Sequence, residues 1–306
     1  MTHEPRPNEL DALPSQVPPA AEGAGSGRPV VVVRRRRWVV PLLLFLATLA
    51  STFWVGMSSG KLDHPLRNGL LYMAAVMAIL VAHEMGHFVQ CLKNRVPASW
   101  PYFIPMPLNL LGTMGAVIVM GAGRANRRAL FDIGLTGPVA GLLVALPLLA
   151  YGVATAEVVR HAPPGTLSIG DPLLVRLMIR LLRPDLPSGV ELWFNPFLQA
   201  SWVGLFMTGV NMLPVGQLDG GHVSYALFGR KSYVLAWSAV GATALYIALS
   251  KQYAFSVMLV LVMLLGPHHP PTADDSVPLG LGRRCLGLVS LVLPLLCVPP
   301  RLVSIN

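Results

Sequence analysis

The amino-acid sequence predicts an all-α polytopic membrane protein with about six to seven transmembrane helices. Composition is the first reason: of 306 residues, 54% are hydrophobic and only 12% are charged, whereas soluble domains carry about 25% charged residues. The second reason is that several uncharged stretches approach or exceed the ~20 residues that a helix needs to cross a bilayer. The chain is therefore expected to lie within a lipid bilayer over most of its length.

The first 37 residues differ in composition from the rest of the chain. They are rich in Pro, Gly, Ala and Glu and hold few large apolar residues, which is typical of a segment that cannot bury a core. We therefore predict a disordered cytoplasmic tail over residues 1–37 and a membrane-embedded domain over residues 38–302. Four arginines, residues 34–37, end the tail directly before the first apolar stretch. This position favours a role in membrane topology over binding of nucleic acid, and no nucleic-acid partner is expected.

Apolar stretches predict where the membrane spans lie. They cover residues 38–57, 69–91, 131–154, 196–213, 233–250, 253–267 and 285–299. Between the second and third spans, residues 99–123 are apolar but contain three prolines and four glycines. Irregular backbone exposed to lipid would leave its polar groups unpaired, so we predict a re-entrant or hairpin element packed against protein.

The distribution of Lys and Arg predicts the orientation of the chain. If the N-terminal tail is cytoplasmic, most basic loop residues fall on the same side, among them Lys93, Arg95 and Arg124. This excess supports a cytoplasmic N-terminus, with the second span running from outside to inside. The basic, Ala- and Arg-rich composition favours a multi-pass protein of a bacterial plasma membrane, with a plastid or another organelle as the alternative.

The second apolar stretch contains the sequence His-Glu-Met-Gly-His. Ionisable groups in a span are costly, about 2.5–3.5 kcal/mol for one Asp, Lys or Arg at a helix centre, and they usually mark function. Because positions i and i+4 share a helix face, His83 and His87 can hold one metal ion between them. Glu84 lies roughly 100° around the helix from His83, where it can reach a metal-bound water without being a ligand. The alternative is two core histidines that hydrogen-bond to neighbouring backbone groups.

A catalytic zinc site takes three protein ligands and a water, so a third ligand is required. Asp219 is the best candidate, because it is the only acidic residue between Glu191 and Asp274. Pro214 precedes it and should end a helix, which frees backbone groups to face a cavity. An ordinary turn is the alternative interpretation of Leu-Asp-Gly-Gly, and His222 is a second, lower-ranked candidate ligand.

The two motifs together resemble those of the site-2 protease family of intramembrane zinc metalloproteases. His-Glu-x-x-His at residues 83–87 is followed by Asn-x-x-Pro-x-x-x-x-Asp-Gly at residues 211–220. The sequence FDIGLTGPVAG, residues 131–141, is similar to the glycine-proline span that lies between the motifs in that family. The sequences FIPMPLNLLGTMGA and GPHHPP further resemble the subgroup without a PDZ domain, which includes chloroplast-type and bacterial members.

The resemblance implies a role for each motif residue. One Zn²⁺ ion would be bound by His83, His87 and Asp219. Glu84 would be the catalytic general base. Asn211 would help to hold the substrate or the developing oxyanion.

The resemblance also implies an activity and a partner. The chain would be a zinc endopeptidase that hydrolyses peptide bonds in or near transmembrane segments of membrane proteins, in regulated intramembrane proteolysis. Near Gly112 and Gly115, the re-entrant segment would present a strand edge to an unfolded stretch of substrate; the alternative is a hairpin that fills space between helices. The sequence does not fix the oligomeric state.

Two other functions remain as alternatives. One is a membrane metalloprotease of the kind that uses a glutamate as third ligand, but no suitable glutamate occurs in a later span. The other is a membrane metal transporter or a non-proteolytic metal-binding scaffold. A transporter should carry ionisable residues in several spans, whereas this chain concentrates them at one site.

Overall fold

The computed structural model describes residues 38–58, 64–109, 111–121, 123–159, 167–186 and 190–305. The predicted tail therefore lies outside the described residues. The helices are Val39–Ser58 (α1), Pro65–Lys93 (α2), Arg127–Thr155 (α3), Leu173–Leu182 (α4), Pro196–Asn211 (α5), Asp219–Phe228 (α6), Ser232–Ser250 (α7), Ala254–Leu265 (α8), Leu281–Ser290 (α9) and Leu293–Cys297 (α10). The strands are Tyr102–Met106 (β1), Gly112–Val117 (β2), Val158–Val159 (β3), Leu167–Ile169 (β4), Glu191–Leu192 (β5) and Val303–Ile305 (β6).

Four helical stretches within the described ranges are long and apolar enough to cross a membrane. They are α1, α2, α3 and the stretch Asp219–Ser250, which comprises α6, a short 3-10 turn and α7. The predicted spans 38–57, 69–91 and 131–154 coincide with the first three. At 16 residues α5 is shorter than a full crossing, and so is α8 at 12 residues. The chain is thus a helix-rich membrane protein, and the count of six to seven spans stays a prediction.

The last apolar stretch of the sequence, residues 285–299, is interrupted and forms two short helices in place of one continuous helix. Helix α9 ends at Ser290, and Pro294 lies in the first turn of α10. Proline fits the first turn of a helix, but its ring and its missing N–H prevent a preceding helix from continuing through it. The chain therefore turns between α9 and α10.

Between α2 and α3 the chain forms an antiparallel hairpin of β1 and β2. Two hydroxyls fix this hairpin to the helices: Ser51 of α1 donates to the Gly112 carbonyl at 2.6 Å, and Tyr72 of α2 donates to the Leu111 carbonyl at 2.6 Å. The backbone of Gly112 has φ +77°, and a Cβ there would lie 2.9 Å from the Thr52 Cα atom, so only glycine fits. The hairpin packs against protein, and its depth in the membrane stays a prediction.

The fold class differs from the predicted all-α class in its strands. Besides the hairpin, β3 pairs with β5 and β4 pairs with β6, each antiparallel. These pairs are short and join segments outside the long helices, where no apolar periodicity signalled them. The β4–β6 pair places the end of the chain beside the connection between α3 and α4.

Helices α2, α3 and α5 pack closely because glycines lie at their contacts. A Cβ at Gly152 of α3 would lie 2.6 Å from the backbone nitrogen of Leu198 in α5. A Cβ at Gly204 of α5 would lie 2.8 Å from the Ile79 side chain of α2. Small residues let helix backbones approach in a membrane, where lipid provides no hydrophobic force between helices. This packing holds α2, which carries both histidines, in a fixed position.

Candidate metal centre

Helices α2 and α6 bring together three side chains that could hold a metal ion. Nε2 of His83 lies 3.1 Å from Oδ2 of Asp219, and Nε2 of His87 lies 3.2 Å from Oδ1 of the same carboxylate. The two Nε2 atoms lie 3.1 Å apart. Within the described residues, His83, His87 and Asp219 each offer one candidate ligand atom, and these three atoms all lie within 4.8 Å of one another.

The spacing of these atoms fits one zinc ion. Zinc binds imidazole nitrogen and carboxylate oxygen at about 2.0–2.2 Å in a tetrahedron, which places ligand atoms roughly 3.3 Å from each other. The observed separations, 3.1–3.2 Å, are close to that value. All three side chains are largely withdrawn from solvent: His83 is 5% exposed, His87 is 7% exposed, and the Asp219 side chain is 13% exposed. A buried cluster of this kind is stabilised by a cation between its members.

A backbone contact orients the His87 ring for metal binding. Nδ1 of His87 lies 2.7 Å from the Ile133 carbonyl oxygen in α3, so this nitrogen carries the proton and donates. In the neutral ring the Nε2 atom then has a free lone pair, and that atom faces Asp219 and His83. Metal-binding histidines typically use their second nitrogen in this way.

The glycines of α3 let that helix lie directly against the two histidine rings. A Cβ at Gly137 would overlap the His87 ring, and one at Gly141 would lie 3.2 Å from Nδ1 of His83. On the opposite helix, a Cβ at Gly86 would lie 2.6 Å from the Thr136 carbonyl oxygen. The glycine-proline sequence of α3, noted before only as a resemblance, is thus a steric requirement of the site.

The turn before α6 positions Asp219. Helix α5 ends at Asn211, and the chain folds back on itself so that α6 begins at Asp219. A Cβ at Gly220 would overlap the Met212 carbonyl oxygen, so the two glycines after Asp219 allow this fold-back. Nδ2 of Asn211 lies 3.5 Å from Nε2 of His83, which places its amide beside the three candidate ligands.

Glu84 lies next to the centre without joining it. Its side chain is 4% exposed, and it lines a cavity of about 310 Å³ between α1, α2 and β1. The other lining residues are apolar or aromatic, among them Phe45, Trp100 and Phe103. Glu84 is therefore the one carboxyl group among the described residues that line this cavity. It lies between the cavity and the face of α2 that carries His83 and His87.

The nearest neighbours of the two hairpin glycines are not members of this cluster. The nearest neighbours of Gly112 are Ser51 and Thr52 of α1. Gly115 has φ +91°, and a Cβ there would lie 3.7 Å from the Met207 sulfur of α5. Their proposed role in substrate binding stays a prediction.

Sequence reasoning missed one buried pair close to the centre. Nδ1 of His222 lies 2.7 Å from Nε2 of His269, and both residues are 7% exposed. His222 was considered only as a metal ligand, and His269 only as part of the GPHHPP resemblance. The available signal was the histidine pair His268-His269, which lies between Pro267 and Pro270 directly after the apolar helix α8.

Comparisons with known proteins agree with the motifs. The family model of Peptidase family M50 matches residues 71–250, more than half of the chain. The chain is 28% identical over 296 residues to the probable zinc metalloprotease EGY1, chloroplastic, of Arabidopsis thaliana, covering 86% of this chain and 53% of that protein. It is 27% identical over 223 residues to the probable zinc metalloprotease EGY2, chloroplastic, of Oryza sativa subsp. indica, covering 70% of this chain and 39% of that protein.

The chain spans about half the length, or less, of the curated relatives it matches. No solved structure matches it. The matched residues 71–250 contain both parts of the candidate centre, the histidines of α2 and the aspartate that begins α6. The chain belongs to peptidase family M50, the site-2 protease family that its two motifs predict.

Proposed function

We propose that this chain is an intramembrane zinc endopeptidase that hydrolyses peptide bonds in or near transmembrane segments of membrane proteins. The observation that carries the proposal is the convergence of His83, His87 and Asp219 from two candidate membrane spans, with Glu84 beside them. Membership of family M50 supports it, and so do the relatives whose names describe zinc metalloproteases.

In this proposal each polar side chain of the centre has one task. His83, His87 and Asp219 hold the ion, and bound zinc supplies a Lewis acid that acidifies water and polarises a carbonyl. Glu84 accepts the proton that the attacking water loses and delivers it to the amide nitrogen of the departing peptide. The Asn211 amide donates a hydrogen bond to the substrate carbonyl oxygen as negative charge develops there.

The proposed substrates require a site of this kind. A helix in lipid has its carbonyl groups hydrogen-bonded internally, so cleavage needs local unwinding and access to water. The apolar cavity beside Glu84 supports binding of an apolar substrate segment. We propose that the hairpin around Gly112 and Gly115 presents a strand edge to the unwound segment, as the family resemblance implies.

We propose the predicted topology in full: a cytoplasmic tail over residues 1–37 and a membrane domain over residues 38–302 with six to seven spans. The loops around residues 94–126 and 266–276 are joined by a hydrogen bond from the Ala273 N–H to the Ala125 carbonyl at 2.9 Å. This contact supports placing these loops on one side of the membrane, together with Lys93, Arg95 and Arg124. A bacterial plasma membrane remains our proposal; the relatives are named as chloroplastic, which keeps a plastid membrane as the alternative.

Removal of the metal tests the proposed activity. We expect dialysis against 1,10-phenanthroline to abolish cleavage of fluorescein-labelled casein by the detergent-solubilised protein, because the water is no longer acidified. Adding back one equivalent of Zn²⁺ should restore cleavage. Fluorescence of released peptides measures the rate, and casein serves as a probe because its chain is already unfolded. Undiminished cleavage by metal-free protein would contradict the proposal.

The alternative of a metal transporter or scaffold is not favoured by the relatives' names. Uptake of Zn²⁺ into sealed proteoliposomes distinguishes a transporter from the proposed protease, and the casein assay distinguishes a scaffold, which would bind zinc without cleaving the probe. The proposed protease is expected to show no uptake above that of empty liposomes.

A further inference from the structure

Residues 266–276, here named the strap, follow α8 and contact segments that flank the candidate metal centre. At one end the Gly216 N–H, in the turn before α6, donates to the Pro267 carbonyl at 3.0 Å. At the other end the Ala273 N–H donates to the Ala125 carbonyl, just before α3, at 2.9 Å. The strap therefore connects the turn that leads to Asp219 with the start of the helix that packs on the histidines.

One side chain of the strap enters the buried region around α6. His269 is 7% exposed, its Nε2 atom lies 2.7 Å from Nδ1 of His222, and its ring stacks on Tyr225 with centroids 4.7 Å apart. Burial lowers the pKa of the His269 imidazole, which favours the neutral ring. Its Nδ1 donates to the Pro270 carbonyl, which leaves Nε2 as an acceptor. The hydrogen bond thus runs from His222 to His269.

His222 is well placed to transmit this contact to the metal centre. It lies in the first turn of α6, three residues after Asp219, and the two residues between them are glycines without side chains. His222 is therefore the first side chain after Asp219 that can anchor this turn. From the other side, Gly134 of α3 packs against it, since a Cβ at that glycine would lie 2.8 Å from the His222 Cβ.

We propose that His269 is a positioning residue of the metal centre. By accepting the hydrogen bond from His222, it fixes the first turn of α6 and so holds the Asp219 carboxylate opposite the rings of His83 and His87. This inference rests on the proposed metal site. It assigns to the strap the task of holding the Asp219 carboxylate in position.

The geometry argues against a second metal ion at the pair. A separation of 2.7 Å is that of a hydrogen bond and is shorter than the roughly 3.3 Å between ligands of one tetrahedral zinc. The cluster also offers only two converging nitrogens within the described residues, where zinc needs at least three protein ligands.

The strap has further anchors that do not need the His269 ring. The Tyr233 hydroxyl donates to the His269 carbonyl at 3.0 Å, and the Tyr225 hydroxyl donates to the Asp275 carboxylate at 3.0 Å. Replacing the ring should therefore leave the strap attached while it releases the first turn of α6. This separates a loss of positioning from a loss of folding.

The test is the zinc affinity of the 306-residue chain in detergent, measured by competition with a chromogenic chelator. We expect His269→Ala to weaken zinc binding about 10- to 100-fold, the usual effect of losing a partner that orients metal ligands. His269→Gln keeps an acceptor oxygen in reach of His222 and should recover most of the affinity. His268→Ala is the matched control, because His268 is the exposed neighbour in the strap and bonds to Trp237 instead.

A double-mutant cycle adds a second criterion. If the two rings act as one unit, His222→Ala combined with His269→Ala should weaken zinc binding no more than either change alone. Two results would overturn the inference: His269→Ala binding zinc as tightly as His268→Ala, or His269→Gln failing to recover affinity while its melting temperature is normal. Because affinity is read without proteolysis, failure of the proposed peptidase activity would leave this result interpretable.

Discussion

Glu84→Gln is expected to abolish peptide hydrolysis while the protein keeps its zinc. The amide has nearly the size and shape of the carboxylate but cannot accept the proton of the attacking water. Removing a positioned general base typically costs about 10²- to 10⁴-fold in rate. Zinc binding should persist, because Glu84 is not among the three converging side chains. Casein cleavage and zinc content, measured on the same preparation, give both readings.

A matched control separates this effect from the simple loss of a carboxylate within a helix. Asp132→Asn in α3 makes the same chemical change at a residue whose partner is Arg283, with oxygen and Nε 2.7 Å apart. Asparagine can still accept a hydrogen bond from Arg283 through its side-chain oxygen, and Asp132 is not among the three converging side chains, so activity should remain. Cleavage by Glu84→Gln at the rate of Asp132→Asn would exclude the assigned base.

In cells, fragments of membrane proteins that appear with the wild type and not with Glu84→Gln would identify substrates.

Gly137→Ala is expected to weaken zinc binding, although Gly137 is not one of the proposed zinc ligands. The added methyl would overlap the His87 ring, whose Nε2 atom faces Asp219. The backbone of α3 carries this methyl and cannot rotate it away, so the ring or the whole helix must move. Zinc affinity should fall by more than about 100-fold, at or beyond the upper end of effects seen when a supporting group is lost. Hydrolysis should be lost with it.

Alanine substitutions at two further glycines provide comparisons with smaller expected effects on zinc affinity. Gly141→Ala places its methyl 3.2 Å from Nδ1 of His83, a tight contact that a small ring movement relieves, so a smaller loss of zinc affinity is expected. Gly241→Ala in α7 has no atom within 4 Å of the new methyl and should bind zinc like the wild type. The order Gly137, Gly141, Gly241 is the expected result of chelator competition. Equal affinities in all three variants would show that α3 does not confine the rings.

The sequence predicted the residue types of the centre because the required chemistry leaves few candidates. Two histidines at i and i+4 must share a face of α2, and the scarcity of acids in the later spans left Asp219 as the best candidate for a third ligand. Helices α1, α2 and α3 also follow from uninterrupted apolar stretches. These inferences depend on local spacing and composition, which a sequence contains directly.

The contacts between distant segments could not be predicted in the same way. Gly137 lies on the His87 ring because α2 and α3 approach closely. The spacing of apolar residues along the sequence does not reveal this approach. The pairing of His222 with His269 joins residues 47 positions apart. Likewise, a stretch rich in Pro and Gly excludes a long helix but does not specify the register of β1 on β2.

The central claim is that His83, His87 and Asp219 hold one zinc ion in common. Zinc content by mass spectrometry, combined with X-ray absorption at the zinc edge, tests it most directly on the purified protein. We predict one zinc per chain, with nitrogen and oxygen neighbours at about 2.0–2.2 Å, and loss of that zinc in Asp219→Ala. Full zinc content in Asp219→Ala, with an unchanged absorption spectrum, would contradict the claim.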